Sequence, residues 1–229
     1  MSTTSGILAV DIGGTKLAAA VVTAQGEIIR RDRVATPARA PWATLSALIK
    51  RIQAAASDID LVACGVACGG PMKIGGTEVS PLHIPTWIDF PLLTSISELT
   101  GLKTYIDNDA KALALAEGWK GAARDCANFM AVVIGTGVGG GLVENNRLAV
   151  GRSGNAGHFG HIVVGSGMSG LDNRSCRCGG RGCLEAYVSG PAVERETGRD
   201  PMYAPMNLKV RNGILFGRAV ATVAAVADI

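Results

Sequence analysis

The chain has 229 residues, of which 48% are hydrophobic and 18% charged, and a formal net charge of +3. That is a globular composition with length for one large domain or two smaller ones. It excludes a disordered chain, and the 31 glycines are clustered rather than periodic, which excludes a fibrous repeat. No long Lys/Arg run marks a nucleic-acid surface, and no stretch approaches the roughly 18 uninterrupted apolar residues of a membrane helix. Neither nucleic acid nor a membrane is therefore expected as a partner. No signal peptide is legible before Asp11, so the cytoplasm is the expected location, and six cysteines there read as thiols or metal ligands.

In chain order, ILAVDI (7–12) and LAAAVVTA (17–24) read as strands. AQG turns a hairpin into EIIRRDRVAT. Leu45, Leu48, Ile49, Ile52 and Ala56 recur at helical spacing over 42–56. LVACGVA (61–67) reads as a buried strand, followed by the loop CGGPMKIGG and an irregular, proline-rich PLHIPTWIDFP. PLLTSISELTG predicts a helix ending at Gly101, TYID (104–107) a strand, and DAKALALAEGWKG a helix. The pattern then restarts: NFMAVVIG, GVGGGLV and NNRLAV form a second meander turned at Asn145-Asn146, HIVVG (161–165) is a further strand, and a last helix runs from about 213. Strands followed by helices, twice, predict an α/β fold of two lobes, 1–110 and 111–229.

Four clusters carry the chemistry. DIGGTK (11–16) joins two strands. It is either a tight hairpin or an oxyanion site, in which glycines at positive φ aim backbone N–H groups at one point, Thr15 and Lys16 add donors and Asp11 holds a hydrated Mg2+. It is not a P-loop, which needs a helix after the glycines. GTGVGGG (135–141) repeats the same Gly/Thr logic in the second lobe, and a pair of such loops is what a polyphosphate held from both sides requires. IDNDAKA (106–112) puts Asp107, Asn108 and Asp109 where a strand enters a helix. One of them is expected as the N-cap, and an ionised carboxylate favoured by the helix N-terminus could also serve as a base in phosphoryl transfer. His161, Cys176, Cys178 and Cys183 have the donor set of a closed, structural zinc site that would also hold His161 and Glu185 rigid, with unliganded thiols as the alternative.

These motifs, in this order, resemble the ROK family. LAVDIGGTK is similar to its first phosphate loop, VVIGTGVGGG to its second glycine loop, and IDNDAKALALAEGW to the segment bearing its catalytic Asp. GHFGH with CRCGGRGCLEAYVSG is similar to its zinc signature. The resemblance implies the two-lobed actin-like, ribonuclease H-like sugar-kinase fold. It implies ATP-dependent phosphorylation of a hexose, usually at the 6-hydroxyl, in an enzyme of glucokinase or N-acetylmannosamine kinase type. By resemblance Asp109 is the base. Gly70, His83, Asn108, His158, His161 and Glu185 lie against the sugar. Gly13, Gly14, Thr15, Lys16, Thr136 and Gly137 hold the ATP phosphates, with Asp11 near Mg2+. A homodimer is expected, since family members are often dimers.

Two residues depart from the family pattern. His158 stands where most members have Glu, and His83 where an Asn often contacts the sugar. An imidazole that donates and accepts could read a different C2 substituent, or it could be a tolerated variant in a glucose kinase. Family members usually continue beyond the point where this sequence stops, so the adenosine site is the expected weak point. A sugar-binding protein without catalysis is the alternative reading.

Overall fold

The computed structural model describes residues 5–165 and 173–229. It has the expected α/β class and resolves into two compact units, residues 1–112 with 150–155, and residues 113–149 with 156–229. The boundary is thus not a single cut: Val150–Asn155 belongs with the first unit although its sequence neighbours on both sides belong to the second.

The first unit is built on a five-stranded sheet ordered β3-β2-β1-β4-β5, comprising β1 (Ser5–Ile12), β2 (Lys16–Val22), β3 (Ile28–Ala35), β4 (Asp60–Cys68) and β5 (Thr104–Asn108). β1 pairs antiparallel with β2, and β2 with β3, while β4 and β5 add parallel to β1. Parallel addition needs crossovers, and α1 (Pro41–Ala55) and α2 (Leu92–Thr100) supply them. Leu45, Leu48, Ile49 and Ile52 of α1, at helical spacing, are buried with Leu8, Val10 and Ile12 of β1 and with Leu92 and Ile96 of α2. Gly101 ends α2 at φ 69°, a left-handed conformation that favours glycine. In this register Asp11, Cys68 and Asn108 all lie at the carboxyl ends of the parallel strands, where open α/β sheets present their ligand loops.

The second unit contains most of α3 (Asp109–Lys120) and a three-stranded antiparallel sheet of β6 (Phe129–Ile134), β7 (Val138–Glu144) and β8 (Arg147–Leu148). Asn145 and Asn146 turn β7 into β8 at φ 51° and 61°, as a two-residue hairpin demands. The expected strand HIVVG is not formed. A 3-10 turn occupies Phe159–His161, and Val163 makes only an isolated bridge to Cys183. Its amides pair with the cysteine loop instead, Val164 N–H donating to the Gly182 carbonyl. Two helices that carried no clear apolar period, α4 (Glu185–Val188) and α5 (Gly190–Thr197), follow that loop. α6 spans Met206–Ala227, beginning earlier than expected because Pro205 occupies its cap position. It is the one described helix long and apolar enough to cross a membrane by length and composition. Lys209, Arg211 and Arg218 punctuate it, and Leu208, Leu215 and Ala219 are buried.

Candidate active site

In the first unit the DIGGTK turn is a tight hairpin. Ile12 pairs with Leu17, Gly13 N–H donates to the Lys16 carbonyl (3.0 Å), and Thr36 clamps the turn by donating from Oγ1 to the Gly13 carbonyl (2.7 Å). Neither Gly13 nor Gly14 has a left-handed φ, so the expected reason for these glycines is replaced by another. A Cβ on Gly14 would collide with the His83 side chain, and one on Gly13 would stand 3.1 Å from the Lys16 carbonyl oxygen. Close approach, not conformational freedom, demands glycine here. The amides of Gly14 and Thr15 have no hydrogen-bond partner among the described residues, and the turn from Gly14 to Lys16 is exposed. Lys16 Nζ lies 4.0 Å from Asp11 Oδ2. Burial raises the Asp11 carboxyl above its ordinary range, opposed by Lys16 and reinforced by the negative charge of Asp109. Two neighbouring carboxylates of this kind are oxygen donors suited to Mg2+.

The three polar residues of IDND divide their tasks. Asn108 Oδ1 accepts the Ala110 N–H (3.0 Å) and so caps α3. Asp107 Oδ1 lies 3.2 Å from Lys111 Nζ and accepts the Asn108 N–H (2.8 Å). Asp109 is exposed, with Oδ1 on the Ala110 N–H (2.8 Å) and no ion pair among the described residues. Gly70 lies in the CGGPMKIGG loop, where its carbonyl accepts the N–H of Leu82 in the proline-rich stretch (3.2 Å). That bond places His83 one residue further on, over Gly14. Lys111 carried no signal in the sequence, where DAKALALAEGWKG reads as an ordinary helix; only its burial singles it out.

In the second unit, the donor atoms of His161, Cys176, Cys178 and Cys183 lie within 4.8 Å of one another. Cys178 Sγ and Cys183 Sγ are 3.7 Å apart, far too long for a disulfide. Two thiolates each about 2.3 Å from a tetrahedral zinc would be separated by about that distance, so the residues fit the metal. His161 Nδ1 lies 3.7 Å from Cys176 Sγ. Gly179 and Gly182, at φ 88° and 73°, bend the loop, and Cys176 N–H closes it on the Gly180 carbonyl (2.8 Å). Zinc held there supplies structure only, because all four ligands come from the protein.

The second glycine loop leans on this cysteine loop. Glu185 Oε2 accepts the Val138 N–H (2.8 Å), and a Cβ on Gly137 would stand 2.8 Å from the same oxygen. Gly190 N–H donates to the Gly135 carbonyl (2.8 Å). The amides of Thr136 and Gly137 have no partner among the described residues. A cleft of about 280 Å³ opens beside Thr136, lined also by Arg177, Glu185, Ser189 and Arg195. His158 and His161 stack with ring centroids 5.8 Å apart.

The chain is 38% identical over 193 residues to an N-acetylmannosamine kinase of Yersinia pseudotuberculosis serotype O:1b (strain IP 31758), covering 83% of this chain and 63% of that relative. It thus spans less than two thirds of the length of such curated relatives. Among solved structures, a ROK family glucokinase from Streptomyces griseus in complex with glucose and AMPPNP is 36% identical (TM-score 0.70), covering 83% of this chain and 59% of that one. A ROK hexokinase from Thermus thermophilus is 28% identical (TM-score 0.81), covering 97% of this chain and 78% of that one. The ROK family pattern itself matches residues 7–219. The chain belongs to the ROK family.

Proposed function

We propose that this protein transfers a phosphoryl group from Mg·ATP to the 6-hydroxyl of a hexose, with glucose or N-acetylmannosamine as the substrate. The observation that carries this reading is the division of labour in IDND: Asn108 caps α3, Asp107 sits with Lys111, and Asp109 is left as an exposed carboxylate. In this reading Asp109 accepts the proton of the 6-hydroxyl as that oxygen bonds to the γ-phosphorus, the bond to ADP breaks, and ADP departs. Such a transition state is loose and asks mainly for position from its base. The open amides of Gly14 with Thr15 and of Thr136 with Gly137, together with Lys16, are the donors for the phosphates, while Gly13, whose N–H is committed to the Lys16 carbonyl, shapes the turn beside them. Mg2+ near Asp11 neutralises developing charge on the nucleotide when bound.

The sugar is assigned to Gly70, His83, Asn108, His158, His161 and Glu185. Glu185 Oε2 is engaged by Val138, which leaves Oε1 for a hydroxyl. His161 turns Nδ1 to the cysteines, which leaves Nε2. The N-acetylmannosamine kinase relative and the glucose complex of the Streptomyces enzyme support the two candidate sugars. A homodimer remains part of the proposal.

ADP release with Mg·ATP is the test, against glucose, N-acetylmannosamine, mannose, fructose and glucosamine. Asp109→Asn is expected to lower turnover by about 10²- to 10⁴-fold, the contribution of a positioned base. Unchanged turnover in that variant would remove Asp109 from the chemistry. Hexose binding without any ADP release would leave a sugar-binding protein.

A further inference from the structure

A buried lysine stands two residues beyond Asp109, and the roles assigned so far do not use it. Lys111, in the first turn of α3, exposes 1% of its side chain. An ammonium so enclosed is retained only where acceptors surround it. Its Nζ donates to the Gly154 carbonyl at 2.6 Å and lies 3.2 Å from Asp107 Oδ1. Gly154 lies in the segment Val150–Asn155 that joins the first unit. Two further contacts seat this strap. Gly154, at φ 83°, presses on Ile74, where a Cβ would stand 3.3 Å from the Ile74 Cα, and Asn155 Nδ2 donates to the Met72 carbonyl at 3.2 Å. One ammonium therefore ties together the carboxyl end of β5, the start of the helix that bears Asp109, and a strap whose next residues lead to His158.

We propose that Lys111 is a positioning residue for the sugar: it fastens the strap Val150–Asn155 to the Asp107–Asp109 turn within the first unit, and so fixes the chain from which His158 follows three residues later. The kinetic part of this inference rests on the hexose kinase reading; the anchoring part does not.

The test uses the full chain and Lys111→Met, which keeps the length of the side chain and removes the charge. The exposed Arg152 inside the strap reports its attachment through limited trypsin cleavage. Lys111→Met is expected to speed cleavage after Arg152 and to raise the hexose KM about tenfold while the ATP KM stays within about twofold, the signature of lost sugar positioning. Cleavage unchanged from wild type would overturn the anchoring. Faster cleavage with an unchanged hexose KM, or ATP and hexose KM rising together, would overturn the positioning role. If the wild-type chain turns over no sugar, the hexose Kd by calorimetry replaces KM, so failure of the kinase reading is seen separately in the wild type. If Lys111→Met does not melt cooperatively, Asn155→Ala loosens the same strap from the Met72 side. It must then raise the hexose KM or Kd, and no change would overturn the proposal.

Discussion

The two glycine loops present the same feature by different means. Each leaves two consecutive amides without partners among the described residues, Gly14 with Thr15 and Thr136 with Gly137. In both, a glycine permits close approach rather than a left-handed turn, Gly14 beneath His83 and Gly137 against Glu185. The first loop is held by its own strands and by Thr36, one strand away. The second is also closed by its strands, with Ile134 paired to Val138 and Gly135 N–H on the Gly137 carbonyl (2.9 Å), but it is held in addition from outside, by the Glu185 carboxylate on Val138 and by Gly190 on Gly135. Glu185 follows Cys183 of the candidate metal cluster by two residues, so the second loop is tied to that cysteine cluster and the first is not. Both loops are closed by strand pairing, but the second, with more glycine and little side-chain packing of its own, takes a further neighbour to define it.

Chelation of zinc is the strongest way to separate the two. Structural zinc contributes folding free energy directly, so removal is expected to lower the thermal midpoint by about 10 °C or more, read by calorimetry. Amide exchange at Thr136–Val138 should rise while exchange at Gly14 and Thr15 stays unchanged. Equal loosening of both loops would break the comparison.

Glu185→Ala tests the same link with the metal in place. It strips the buried Val138 N–H of its acceptor, an expected cost of about 1–3 kcal/mol in denaturant unfolding. The ATP KM should rise together with the hexose KM. A rise in the hexose KM alone, with the loop amides as protected as in wild type, would mean that Glu185 serves the sugar and not the loop.

Acid gives the smallest effect. Hydrogen bonds from Arg211 (2.7 Å) and then Arg174 (2.9 Å) hold the Glu196 carboxyl down to about 2. A depressed carboxyl stabilises the fold fully above its ordinary value near 4.5 and loses that contribution as pH falls towards about 2. The difference in thermal midpoint between wild type and Glu196→Gln should therefore be constant above that window and vanish within it. Because Arg174 adjoins the cysteine loop, this difference should also shrink in zinc-depleted protein. A difference that grows as pH falls would reverse the assignment.

Local features were legible wherever a short-range rule decides them. The strands and α1 follow from alternation and helical period, Gly101 and Asn145-Asn146 from the φ values their turns demand, and the gathering of His161 with the three cysteines from donor type and spacing. HIVVG misled because β-branched residues mark a strand only when a partner edge is available, and here the cysteine loop takes the amides. The sequence by itself determined the strands of both sheets, α1 to α3, both glycine loops, the His161 and cysteine cluster and the acidic turn, because period, turn chemistry and donor type are properties of neighbouring residues. Only the tertiary structure decided that Glu185 holds the second loop, that Val150–Asn155 belongs to the first unit, and that Lys111 is buried beneath it. Those outcomes depend on which distant carbonyl, amide or carboxylate arrives beside a group, and burial then requires that each such group be paired.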